Sequence, residues 1–152
     1  MQLTPHFTLE ELIRSETAER ERIDNTPSAV IVANLALLAA GLERVRELLA
    51  QPLEISSGYR CPELNRRVGG AESSQHTHGM AADFICEAFG GPLEIAQAVR
   101  ASGIEFDQCI LEFGRWVHIS FKPQPRGQVL TIYDSKEGYL DGLWDAQGNQ
   151  VA

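Results

Sequence analysis

From Ser28 to Ala50 the chain sets Leu35, Leu38, Leu42, Val45 and Leu49 at steps of three and four, the spacing that lines one face of an α-helix. A helix of that length with one apolar stripe has to lay the stripe against a second layer, so the remaining residues must supply a sheet or further helices to cover it. Its first part, AVIVANLALLAAGL from Ala29 to Leu42, is the longest apolar run in the chain. Interrupted by Asn34, it falls short of the roughly 20 residues that span a bilayer. It therefore reads as a buried core helix, and stable membrane insertion is not expected.

Local signals place the covering layer. TLEE at Thr8–Glu11 has the capping-box form and starts a short helix running to about Arg14, whereas the charged stretch SETAERERIDNTP reads as irregular. LEISS, Leu53 to Ser57, alternates like a strand. CPELNRRVGG has a proline suited to a first helical turn and a Gly69-Gly70 stop. MAADFIC is apolar enough for a buried strand, and GPLEIAQAVRASG is bounded as a helix by its proline and its final glycine. FDQCILEF and WVHISF are two strands joined as a hairpin at Gly114-Arg115. QVLTIYD adds an edge strand, and residues 138–152 are left unassigned. Helices early and strands late predict one α+β domain over residues 1–152, a small antiparallel sheet with helices on one side. That length is enough to bury a core without disulfide support.

The formal charge of -8 opposes binding to polyanions, which depends on Lys and Arg releasing counterions, so nucleic acid is excluded as a partner. Cys61, Cys86 and Cys109 are odd in number and show no C-x-x-C spacing, which argues for reduced packing residues rather than a disulfide framework or a cysteine zinc knuckle. MQLTPHFTLEE lacks the basic and apolar regions of a secretory signal. The expectation is synthesis in the cytoplasm, with action elsewhere only after release.

Two of the four histidines sit in SSQHTHGMAADF. His76 and Asp83 are an odd number of residues apart, so one continuous strand would point them to opposite faces; a bend at Gly79 could bring them together. A catalytic zinc takes three protein ligands and leaves a position for water, so this pair needs a distant third. His118 is the candidate: in WVHISF, Val117, Ile119 and Phe121 share the core face and Trp116, His118 and Ser120 the other. Taken singly, each has an ordinary reading as a loop histidine, a cap carboxylate and a sheet histidine.

Taken together, SGYRCPELNRRVGGAESSQHTHGMAADF, DQCILEF and WVHISF resemble the zinc D-alanyl-D-alanine carboxypeptidase family, which includes D,D-dipeptidases and the L-alanyl-D-glutamate endopeptidases of phage lysins. The likeness runs from about Phe7 to Leu143, and its signature S-x-H-x-x-G-x-A-x-D is met by Ser74, His76, Gly79, Ala81 and Asp83. The resemblance implies Zn2+ held by His76, Asp83 and His118. It also implies a carboxylate base close before the last histidine. Several members carry it three residues ahead, where this chain has Arg115; those with a DQ-x-I-x-E strand supply it from that strand, which here gives Glu112. Arg60 matches the arginine that binds substrate or steadies a developing oxyanion, and Ser74 and Gln108 match substrate-contacting positions. Asp107 matches a position suited to orienting a ligand histidine, while His78 lies outside the signature and reads as solvent-facing.

The function implied is zinc-dependent hydrolysis of peptidoglycan stem peptides by a monomer, with the ending RGQVLTIYDSKEGYLDGL closest to phage and prophage members. The small size favours a lysin-like endopeptidase over a D,D-carboxypeptidase. The rival reading is a zinc-bearing module that binds the wall, or serves a phage structure, without hydrolysis. Glu112 can serve His118 only if paired positions of the hairpin sum to an even number. This predicts a three-residue loop, Gly114 to Trp116, with Phe113 opposite Val117, or a bulge near Gly114.

Overall fold

In the computed structural model, which describes residues 1–152, the chain opens with a short hairpin, β1 (Gln2–Thr4) and β2 (Phe7–Thr8), leading into α1 (Leu9–Ile13). Thr8 caps α1 where the sequence places it, its Oγ1 accepting from the Glu11 amide at 3.1 Å, although the reciprocal bond of a full capping box, from the Thr8 amide to the Glu11 carboxylate, is not made. The stretch expected to be irregular is so only in its second half: Ser15 caps a further helix, α2 (Glu16–Glu21), which ends on Arg22 in the left-handed region. Ala18 of α2 and Ile23 beyond it bury against Leu64, a tertiary contact with no counterpart in local periodicity. α3 (Ala29–Leu49) follows, capped by Ser28. It is not buried all round: Val30 and Leu37 are 71% and 58% exposed, while Leu35, Leu38, Leu42 and Val45 are fully covered. The apolar run is thus one buried stripe plus a solvent face.

Next come β3 (Glu54–Ser57), α4 (Pro62–Arg67), a 3₁₀ turn at Gln75–His78, β4 (Ala81–Ile85), α5 (Pro92–Ala101), β5 (Gln108–Glu112), β6 (Trp116–Ser120) and β7 (Gln128–Ile132). The unassigned tail forms β8 (Leu140–Asp141), β9 (Leu143–Trp144) and β10 (Gln150–Val151). Leu143, fully buried in the core, anchors it. The main sheet has the order β3-β4-β6-β5-β7-β8. Every pair is antiparallel except β5 with β7, so the architecture is the expected α+β with a mostly antiparallel sheet. QVLTIYD differs from expectation, because β7 pairs in parallel with β5 and is itself flanked by β8.

Alternation divides the sheet into two faces. Ala82, Phe84, Cys109, Leu111, Val117 and Ile119 are buried in the core shared with α3 and α5. Gly41 in α3 is required by close approach, since a Cβ there would overlap the ring of Phe121; its usual cost of about 1 kcal/mol in a helix is offset by that seating. The opposite face carries Asp83, His118, Ile110, Glu112 and Trp116.

The β5–β6 register decides where Glu112 points. Ile110 faces His118, Leu111 faces Val117 and Glu112 faces Trp116, so the paired positions sum to an even number and Glu112 shares the face of His118. The three-residue connection is present but lies one residue earlier than expected, at Phe113–Arg115. Phe113 and Gly114 both take positive φ, 57° and 64°. A left-handed phenylalanine is unfavourable. Its amide donates to the Ile132 carbonyl at 2.7 Å and its ring packs on Trp116 at 5.6 Å, which together hold it there.

Candidate metal centre and active site

Asp83 and His118 are direct cross-strand partners on β4 and β6, and His76 comes from the 3₁₀ turn ahead of β4. Gly79, with φ 69°, supplies the bend that turns His76 back over Asp83. A side chain at Gly79 would also crowd Ile31 and Leu35 of α3. All three groups are buried. Asp83 Oδ1 lies 3.2 Å from His76 Nε2 and 3.0 Å from His118 Nδ1, and one donor atom from each lies within 4.8 Å of the others, a set that could hold a metal ion.

The chemistry of this set fits a cation. His76 Nδ1 stands 2.7 Å from the Gly58 carbonyl oxygen, which can only accept, so Nδ1 carries the proton. Burial holds this imidazole below its ordinary pKa, against the charge of Asp83; a neutral His76 then directs the Nε2 lone pair at a carboxylate oxygen. Two lone pairs at 3.2 Å repel unless a positive charge lies between them. Donors around a tetrahedral zinc, at about 2.0–2.1 Å from the ion, stand roughly 3.3 Å apart, close to the spacing here. Burial would raise the Asp83 carboxyl, but the flanking imidazoles, with His118 Nδ1 donating to Oδ1, outweigh it and hold the group well below the usual range. His118 is held above its ordinary value, burial being outweighed by its hydrogen bond to Asp83.

Arg60 is clamped beside this group. Its Nε donates to Asn65 Oδ1 at 3.1 Å and its two terminal nitrogens to Ser57 Oγ and Ser74 Oγ at 3.4 Å. Burial lowers its pKa, opposed by the charges of Asp83 and Glu112. Ser74 Oγ also accepts from the His76 amide at 3.2 Å, so one hydroxyl caps the turn that carries His76 and steadies the guanidinium. Glu112 Oε1 accepts from the Trp116 indole at 2.7 Å. Burial pushes the Glu112 carboxyl above its ordinary value, with His118 opposing.

A buried His–Asp–His set beside a carboxylate of raised pKa is suited to polarised-carbonyl chemistry, and the sequence agrees: residues 5–120 match the family model described as Peptidase M15. The chain belongs to the Peptidase M15 family. No curated protein matches it. Peptidase M15 is the zinc D-alanyl-D-alanine carboxypeptidase-like family, so the chain carries a metallopeptidase domain. No helix is long and apolar enough to cross a membrane.

Other residues singled out in the sequence fall at different places around this candidate centre. Gln108 lies on the site face but two residues beyond Ile110, with its Nε2 bonded to Gln128 Oε1 at 2.7 Å. Asp107 orients no histidine. Fully buried, it accepts from Arg126 Nε at 2.9 Å and Nη2 at 2.6 Å and from Gln75 Nε2 at 2.9 Å. It thereby ties the turn before His76 to the β6–β7 loop. His78 is exposed. The groups that sequence reasoning missed act through the backbone or from afar: the Gly58 carbonyl on His76, the Trp116 indole on Glu112, and Asn25. The Asn25 side chain donates to Ile13 O and Tyr59 O and accepts from the Cys61 amide, fixing the segment that carries Arg60.

Gly58 yields a direct test. A Cβ there would overlap the Leu12 carbonyl oxygen, so Gly58→Ala must move the segment whose carbonyl orients His76. The expected result is a loss of about 1–3 kcal/mol of stability together with roughly 10–100-fold weaker zinc binding, read by thermal melting and by zinc competition. An unchanged zinc affinity would show that the Gly58 carbonyl does not orient the ligand.

Proposed function

We propose that this chain hydrolyses the peptide stems of peptidoglycan as a zinc-dependent peptidase, with His76, Asp83 and His118 holding the ion. Zinc bound there would act as a Lewis acid on the scissile carbonyl and lower the pKa of water towards neutrality. Glu112 is the general base and then the acid. The Trp116 N–H occupies Oε1 and leaves Oε2 to take a proton from the attacking water and return it to the leaving amine. A carboxyl raised by burial is closer to the working pH than a solvated one, which suits both transfers. Arg60, permanently charged and held in place by Ser57, Ser74 and Asn65, steadies negative charge developing on the carbonyl oxygen. The Ser74 hydroxyl proton and Gln108 Oε1, neither bonded to a protein acceptor or donor, contact the substrate.

The observation that carries this reading is the convergence on one sheet face of the three donor groups and Glu112, enforced by the β4–β6 and β5–β6 registers. Within it, an endolysin-like L-alanyl-D-glutamate endopeptidase, acting as a monomer on the wall after release, is favoured over a D,D-carboxypeptidase by the likeness of the closing stretch to phage members. Digestion of purified peptidoglycan with the zinc-loaded protein, followed by mass analysis, tests both levels. New amino termini on D-glutamate support the endopeptidase, and release of terminal D-alanine supports the carboxypeptidase. Wall binding with zinc retained but no bond cleaved would instead favour the non-catalytic wall-binding or phage structural module.

A further inference from the structure

The family match ends at residue 120, yet the sheet that carries the site continues past it, with β7 and β8 extending it beyond β5. On the site face the strands form lateral rows. One runs Asp83, His118, Ile110, Leu130 and Asp141. The next runs Trp116, Glu112 and Ile132. β7 and β8 pair Leu130 with Asp141 and Thr131 with Leu140. The same register carried one residue back sets Tyr139 opposite Ile132, in the row of Glu112. The chain reaches that position through a self-bonded turn: the Asp134 carbonyl accepts from the amides of Glu137 and Gly138, Asp134 Oδ1 accepts from Lys136 N, and Gly138 takes φ 77°.

Tyr139 is 57% exposed, and its hydroxyl has no partner within the protein. Large exposed side chains are ordinary in themselves. The setting of this one is not ordinary. Burial raises the pKa of the phenol, and the charges of Glu112 and Asp83 raise it further, which keeps the hydroxyl a donor. By the register it stands on the site face in the row of Glu112, beyond Ile132, where a peptide lying along that row past Glu112 would meet its hydroxyl.

We infer that Tyr139 is a substrate-contacting residue whose phenol donates a hydrogen bond to a main-chain carbonyl or carboxylate oxygen of the peptide. This rests on the reading of the chain as a stem-peptide peptidase. It adds a contact from a segment that the family match does not reach.

The test is calorimetric titration of a synthetic pentapeptide, beginning L-alanyl-D-glutamyl and ending D-alanyl-D-alanine, into zinc-loaded Glu112→Gln protein and into the same protein carrying Tyr139→Phe. Removing one hydroxyl should weaken binding about tenfold, the loss of one hydrogen bond to a polar or charged oxygen, with zinc content and melting temperature unchanged. Equal affinities overturn the inference and leave the peptidase reading intact. Absence of binding in both proteins overturns both. A Tyr139-dependent affinity in a protein that fails to cleave peptidoglycan when Glu112 is present keeps the contact and rejects the hydrolysis. A lowered melting temperature in the Phe variant would give the hydroxyl a structural role and overturn the inference.

Discussion

Glu112→Gln is expected to lower hydrolysis of stem peptides by at least about 10²–10⁴-fold, the usual contribution of a general acid–base group, while the protein keeps its zinc and its fold. The amide has nearly the shape of the carboxylate, and its oxygen can accept the Trp116 N–H that now reaches Oε1 at 2.7 Å. What it cannot do is accept the proton. Burial works against the charged form of Glu112, so a neutral side chain in its place relieves a desolvation cost, and the melting temperature should stay the same or rise. That combination, activity lost with stability held or gained, separates a base from a structural carboxylate, whose removal would cost stability. Turnover, zinc content and melting are the three readouts. Wild-type-like turnover with zinc bound would place the base on another residue.

What the sequence disclosed and what it hid follow from how far each feature reaches along the chain. Thr8, Ser28, Pro62 and Pro92 mark helix starts because a cap acts within three residues, and α1, α3, α4 and α5 begin where those residues place them. α2 was missed because its apolar contribution is a single buried Ala18 packing on Leu64, too little for any periodicity to reveal. The parity of the β5–β6 hairpin was legible, since Glu112 and His118 can share a face in only half of the possible registers. Its loop was not, because a left-handed Phe113 is held by Trp116 and Ile132 rather than by its own preference. His76, Asp83 and His118 were legible as a pattern. Gly58 was not, because it acts on His76 through a carbonyl, which every residue has. Asp107 was read as a partner for a ligand histidine, yet Arg126, nineteen residues away, claims it. Tyr139 lies in the stretch left unassigned, where only the pairing of β7 with β8 gives the chain a direction.

The other large expected effect is on the metal. His118→Ala should cost zinc affinity more than the roughly 10–100-fold that loss of an outer partner costs, because two of the three donors, His76 and Asp83, cannot complete a site built for three. Zinc bound to the folded state alone stabilises by mass action, about 2.7 kcal/mol when free zinc is 100 times the dissociation constant. Chelator should therefore lower the melting temperature of the wild-type protein. In the variant the melting temperature should already be low and should not respond to chelator, for two separable reasons. The zinc contribution is absent. The buried Asp83 carboxylate has also lost the imidazole at 3.0 Å that helps to compensate its charge, and an under-compensated buried charge is costly. Asp83→Asn in the same background separates them: it removes the charge without restoring the ion, so it should recover part of the stability while the zinc content stays near zero. Elemental analysis of protein purified without added metal supplies the occupancy. Zinc at full occupancy in His118→Ala, or a melting temperature that chelator still lowers by the wild-type amount, would remove His118 from the site.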